Sequence, residues 1–291
     1  MAIIDMENVT KRYTKSKGIF DVSISVEKGE AFGITGSEDS GKSTVIKIIT
    51  GLLKPENGNC IIDGYDSFSD TEYFMNNTGY LPENIQLPKE MTAGEFLNYV
   101  SALKKSKDSK RLKKLIDYFE INSKSYIKSM SKREIKILAV ICCFMCDNNI
   151  YVLDEPFSHL NGIEHRKLLE LIHYEKKAEK TFFLASEKYE DIEKVCDITA
   201  FLSNGQIVGT NSVSKLKKIK THQYLIDFES KEDMALFSNE IYDFKLVGNT
   251  SLRVKGIKDV NEFIKCLSNY NISSLETVFL PPEELFNDYN I

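Results

Sequence analysis

The chain has 291 residues, of which 42% are hydrophobic and 28% charged, and a formal net charge of −5. This is the composition of a water-soluble globular protein with room for one large domain and a smaller one; it excludes a disordered or fibrous chain and argues against a nucleic-acid partner. No apolar run approaches the roughly 20 residues of a membrane span, and the N-terminus reads as the start of a folded segment, not a secretion signal, so a cytosolic location is expected.

In chain order, Ala2–Val9 and Ile19–Val26 read as antiparallel strands, and Ala31–Thr35 as a short apolar strand. The run Gly36-Ser37-Glu38-Asp39-Ser40-Gly41-Lys42-Ser43-Thr44 follows, fitting G-x-x-x-x-G-K-[ST]. Behind it, Val45, Ile46, Ile48, Ile49, Leu52 and Leu53 recur at helical spacing. Strand, glycine-containing loop and helix in that order make a phosphate cradle: loop N–H groups point inward and a helix N-terminus faces the anion. Lys42 is expected to reach the β- and γ-phosphates, and the Ser43 hydroxyl to ligate Mg²⁺. These residues alone predict binding of ATP or GTP.

Asn57-Gly58 signals a hairpin between Leu53 and a strand at Cys60–Asp63. Residues 92 to 146 are helical by period, interrupted over 104–110 and 122–129. Within 101–137 stand twelve Lys/Arg against four acids, an excess that fits a solvated helical face or a surface for anionic lipid headgroups or an acidic partner. The six cysteines lack paired spacing, which predicts reduced thiols; of the cluster at Cys142, Cys143 and Cys146, the 142/146 pair is expected on one helical face, as packing and not as a metal site. The apolar strand Ile150–Asp154 then ends in two carboxylates. Asp154 is placed to hold Mg²⁺ through water, and Glu155 to polarise the water that attacks the γ-phosphate.

A strand at Thr181–Ala185 and a hairpin over Ala200–Val208, turning at Asn204-Gly205, complete an α/β core. Residues 215–221 look like a linker. Beyond it the order is strand 224–228, helix 231–241, strands 243–247 and 251–255, helix 258–269 and strand 274–279, with a last short helix from Pro281-Pro282. A β-α-β-β-α-β order predicts a small ferredoxin-like α+β domain over 222–291.

With both nucleotide motifs placed, residues 2–215 resemble the ATP-binding subunits of ABC transporters, most closely those that energise drug, antibiotic or lantibiotic exporters. The resemblance implies an α/β P-loop NTPase core over 1–215 with an antiparallel β subdomain and a helical subdomain at about 90–146. It implies ATP and Mg²⁺ as cofactors, a transmembrane permease partner at the inner face of the membrane, and a second ATP-binding subunit joined head to tail. Tyr13 matches the aromatic that stacks on adenine. Glu83, in Gly79-Tyr80-Leu81-Pro82-Glu83, matches the loop residue that contacts Mg²⁺ and senses the permease, usually a Gln.

Three positions depart from the family's pattern. Ser131 falls on the Ser of the L-S-G-G-Q segment that serves the opposite subunit's γ-phosphate, but both glycines are replaced, by Lys132 and Arg133. These side chains either crowd the approach to a phosphate or act as cationic clamps on it. Asn161 replaces an Asp in the loop linking the two sites, and Glu187 stands where the family has a γ-phosphate histidine. Losing one preorganised donor to a developing charge costs about a hundred- to a thousandfold in rate, so nucleotide binding is expected to survive and turnover to be slow. The rival expectation is a degenerate, nucleotide-gated regulatory or heterodimer-partner subunit.

Overall fold

The computed structural model describes residues 2–104, 109–220, 223–240, 243–255, 257 and 259–277. The chain divides into two compact units, Met1–Thr210 and Asn211–Ile291. Among the described residues no helix is long and apolar enough to cross a membrane.

The first unit opens with β1 (Ala2–Arg12) and β2 (Gly18–Glu27), antiparallel with Met6 opposite Ile24. Ile19, Val22, Ile24 and Val26 are buried while residues between them face outward, as period-2 patterning dictates for a sheet with one face on the core. Next come β3 (Ala31–Thr35), α1 (Lys42–Ile49), β4 (Asn57–Ile62), β5 (Tyr65–Asp66), α2 (Thr71–Asn77) and β6 (Thr78–Leu81). Three helices follow, α3 (Ala93–Leu103), α4 (Ser109–Phe119) and α5 (Lys132–Phe144), with α5 packed on both others. The unit finishes with β7 (Ile150–Asp154), α6 (Gly162–Lys177), β8 (Thr181–Ser186), α7 (Tyr189–Val195), β9 (Ile198–Ser203) and β10 (Gln206–Ser212).

Two sheets result. One is antiparallel in the order β2-β1-β4-β5; the other has six strands in the order β10-β9-β3-β8-β7-β6. In the second, β9, β3, β8, β7 and β6 run parallel, and β3, β7 and β8 are buried on both faces, as parallel strands between helical layers must be. Register decides what the sheet presents. Asp154 lies opposite Ala185 and Thr35 opposite Ser186, so β7, β8 and β3 end level with one another. The loops after β3, β6, β7 and β8 therefore leave one edge of the sheet, where ligands bind in open parallel sheets.

The second unit holds α8 (Val213–Lys220), β11 (Tyr224–Phe228), α9 (Lys231–Ser238), β12 (Phe244–Leu246), β13 (Ser251–Val254), α10 (Val260–Leu267) and β14 (Ile272–Thr277). Its antiparallel sheet runs β12-β13-β11-β14, the β-α-β-β-α-β arrangement, over a core that includes Phe228, Phe237 and Phe263.

Several local expectations need correction. Asn57-Gly58 is not a hairpin turn but the start of β4, where the register against β1 slips between Glu7 and Thr10. Gly58 adopts φ +79°, and a Cβ there would lie 2.3 Å from Glu7 O, so glycine marks a bulge pressed against the neighbouring backbone. The hairpin turn in this stretch is Asp63-Gly64, which joins β4 to β5. Residues 215–220 are not a linker: they belong to α8, whose Val213 and Leu216 are buried at helical spacing, and the lysines that suggested a linker are its polar residues. Helix α1 stops at Ile49, leaving Leu52 exposed beyond it. Helix α5 stops at Phe144, so Cys146 shares no helical face with Cys142; the buried member of the cluster is Cys143. The helix expected from Pro281 and the end of the strand expected to 279 lie outside the described residues.

Part of the basic excess has partners within the chain. Arg111 donates to Phe144 O at 2.6 Å and pairs with the buried Glu175, Lys104 donates to Thr78 O, and Lys128 pairs with Glu90.

Candidate nucleotide site

The strand ends converge on a cavity of about 350 Å³ lined by Tyr13, by the loop residues Glu38 to Thr44, and by Glu83, Glu155 and Glu187. The loop leaves β3 through the buried Gly36 and turns into α1 at Gly41, the helix's N-cap, whose φ of +110° only glycine adopts without strain. No side chain caps this helix start, and its first turn contains no acid. Its orphan N–H groups and positive dipole end are therefore open to an anion in the cavity. Ser37, Glu38 and Asp39 are exposed, and Asp39 pairs with Lys17 at 3.4 Å.

Lys42 is 6% exposed, and its ammonium donates to Gly36 O and Ser37 O, both at 2.8 Å. The cation is thus folded back over its own loop. Its third neighbour is a carboxylate oxygen of Glu187 at 3.7 Å. Tyr13, 55% exposed, stands at the rim, with its hydroxyl 3.5 Å from Thr44 Oγ1, a contact too long to contribute much. A flat, half-open ring beside a phosphate loop is a platform for a base.

Asp154 is 4% exposed, and its Oδ1 has no hydrogen-bond partner among the described residues. Burial, then the negative charge of Glu83, push its carboxyl up to about 6, while the Ser43 hydroxyl, Lys136 and Lys42 pull the other way. Burial also pushes Glu155 up to about 7, against the Glu187 N–H that its Oε1 accepts at 2.7 Å. An orphaned, buried carboxylate oxygen beside a hydroxyl and a second carboxylate is an all-oxygen set suited to Mg²⁺. Ser43, Asp154 and Glu83 are the residues that would hold it.

Two features were not anticipated from the sequence. Lys136 of α5 is fully buried, donates to Glu155 O at 2.8 Å, and is held down to about 8 by that burial against the pull of Asp154, Glu155 and Glu83. With Ser158 Oγ, which donates to the same carbonyl, it anchors Glu155 at φ +45°, a left-handed conformation that costs a non-glycine residue energy. The signal was available: a lysine between Ile135 and Ile137, followed on its own face by Ala139, Val140 and Cys143, needs a buried acceptor. The second feature is Asn161, whose side chain caps α6 by accepting from Ile163 N and Glu164 N.

Ser131 is not in the cavity. It caps α5, accepting from Glu134 N at 3.3 Å and donating its hydroxyl to Glu134 Oε2 at 2.7 Å. Arg133 does not project as a free clamp: it pairs with Glu164 of α6 at 2.7 Å.

Comparisons with known proteins agree with this geometry. Residues 19–158 match the ABC transporter family. The ABC-type transporter ATP-binding protein EcsA of Bacillus subtilis is 27% identical over 223 residues, covering 75% of this chain and 90% of EcsA. The linearmycin resistance ATP-binding protein LnrL of the same organism is 27% identical over 222 residues, 74% of this chain and 70% of LnrL. A solved ATP-binding subunit of an ABC transporter superposes with a TM-score of 0.68 at 25% identity, covering 74% of this chain and 92% of that one. Residues 19–158 thus match the ABC transporter family, and the fold is that of a solved ATP-binding subunit of such a transporter.

Proposed function

We propose that the chain is the ATP-binding and ATP-hydrolysing subunit that energises an ABC-type membrane exporter, with a drug, antibiotic or peptide as cargo. The observation that carries this reading is one cavity in which the buried Lys42 stands with Glu83, Glu155 and a cap-free helix start. In this reading Tyr13 stacks on adenine, the loop from Gly36 to Thr44 wraps the phosphates, and Ser43, Asp154 and Glu83 hold Mg²⁺, which supplies charge neutralisation when bound. Glu155, fixed by Lys136 and Ser158, accepts the proton of the attacking water. The export assignment draws on LnrL, a resistance protein by name, and on the exporter-like sequence pattern.

Residues 222–291 are read as an accessory domain outside the nucleotide site. Ser131, lying away from the cavity of its own chain, is assigned to the nucleotide of a second subunit arranged head to tail. Cargo selection and membrane attachment at the inner face belong to a transmembrane permease partner. A specific observation favours the second reading, a weakly hydrolysing partner or regulatory subunit. Glu187 sets a carboxylate against Lys42, and Arg133 is tied to Glu164. The test is Mg-ATP binding by calorimetry, followed by phosphate release with and without the polytopic membrane protein encoded nearest the gene. Binding with permease-stimulated release supports the transport subunit; binding without release under either condition supports the regulatory one.

A further inference from the structure

Glu187 follows β8 directly and stands across the cavity from the phosphate loop. Its backbone N–H donates to Glu155 Oε1 at 2.7 Å, which fixes the residue in place. Its carboxylate lies 3.7 Å from Lys42 Nζ, and no other carboxylate among the described residues lies within ion-pairing distance of that ammonium. The other partners of Lys42 are the neutral carbonyls of Gly36 and Ser37. The Glu187 carboxylate therefore already sets a negative charge against Lys42 within the cavity.

We propose that Glu187 is a built-in stand-in for a terminal phosphate, which makes the site take nucleoside diphosphates in preference to triphosphates. The inference rests on the adenine-nucleotide reading of the site. A diphosphate can use the open start of α1 and the Lys42 ammonium without reaching past it. A triphosphate carries at least one further negative charge towards the Lys42–Glu187 contact, where it must displace a carboxylate from the cation and remain close to it. Like charges a few ångströms apart repel strongly when partly shielded from water. The Glu187 side chain is 50% exposed, so screening reduces the penalty to an affinity effect of about tenfold.

The test is calorimetric titration of the full chain with Mg-ADP and with a Mg-bound non-hydrolysable ATP analogue, for wild type, Glu187→Gln and Glu187→Asp. The half-exposed position makes misfolding of either variant unexpected, and circular dichroism checks it. Wild type should bind the diphosphate about tenfold more tightly than the triphosphate analogue. Glu187→Gln should bring the analogue's affinity up about tenfold and leave the diphosphate within about twofold, whereas Glu187→Asp, which keeps the charge, should retain the wild-type preference. Raised salt should narrow the wild-type gap. If both nucleotides bind and Glu187→Gln moves them equally, or moves neither, the stand-in role is wrong. If neither nucleotide binds any variant, the nucleotide site itself is misassigned and the inference falls with it.

Discussion

Helices α1 and α5 both begin at positions where the sequence suggests phosphate contact, and they begin in opposite ways. At α1 the N-cap is Gly41, no side chain satisfies the first N–H groups, and the first turn has no acid. At α5 the N-cap is Ser131, and Glu134 closes a reciprocal capping box on it. The Ser131 hydroxyl and N–H both already donate to the Glu134 carboxylate, at 2.7 and 2.8 Å. Helix α6 repeats the closed pattern with Asn161 and Glu164, and Glu164 also binds Arg133. A helix start becomes an anion site only when the chain leaves it uncapped. The α1 end is left open for a ligand, whereas the α5 and α6 ends are satisfied from within and linked to each other.

Substitutions at four positions break or sharpen that contrast, in descending order of expected effect. Lys42→Ala removes the one cation the loop supplies and should lower Mg-ATP affinity at least a hundredfold by calorimetry; unchanged binding would remove the open end from consideration. Tyr13→Ala should weaken adenine nucleotides by about 1–3 kcal/mol, the worth of stacking on a base, while Tyr13→Phe should not, because the 3.5 Å hydroxyl contact contributes little. Equal loss in both variants would mean that the hydroxyl, not the ring, carries the contact.

Glu155→Gln sharpens the picture through pH. The Glu155 carboxyl is pushed up to about 7, chiefly by burial, from an ordinary value near 4.5. Between those values the folded chain keeps a proton that the unfolded chain releases. This favours folding at low pH, and the contribution disappears as pH rises through 7. In chemical denaturation without nucleotide or Mg²⁺, wild type should therefore lose about 2 kcal/mol relative to Glu155→Gln between pH 5 and 8, after allowance for screening at the cavity rim. A constant difference across that range would mean that Glu155 is ionised throughout. The smallest effect is expected at the closed end. Glu134→Ala opens the capping box and should cost about 1 kcal/mol of stability, read by denaturant midpoint, with Mg-ADP affinity unchanged. A changed affinity would place the start of α5 at a bound nucleotide, that of its own chain or of a second subunit.

The open end was legible in the sequence because its features are local. Strand, Gly36-to-Thr44 loop and helix are contiguous, and an apolar strand ending in Asp154-Glu155 announces itself. The convergence of Glu83 and Glu187 on that loop came only by family likeness, because their proximity depends on the register of β6, β7 and β8 and no local pattern encodes it. The closed end was misjudged for a similar reason. Arg133 reads as a free cation until α6 brings Glu164 against it, 31 residues away. Ser131 with Glu134 does fit the capping-box spacing, a signal overlooked beside the family's glycine pattern. Asn57-Gly58 shows the converse failure: a turn-like dipeptide was recruited to a bulge because β1 passes too close for a side chain.

In the proposed function the nucleotide-binding end is intact while the groups facing a terminal phosphate are obstructed. Steady-state phosphate release under saturating Mg-ATP tests it most directly, for wild type, Glu187→His, and the triple variant that adds Lys132→Gly and Arg133→Gly. Wild type should turn over well below about 1 s⁻¹, the low end of the usual enzyme range. Glu187→His should raise the rate, the triple variant should raise it further, and Glu155→Gln added to either should abolish the gain. A wild-type rate of about 1 s⁻¹ or more that falls on restoring the histidine and glycines would contradict the account, and would make Glu187, Lys132 and Arg133 working parts of the ATPase.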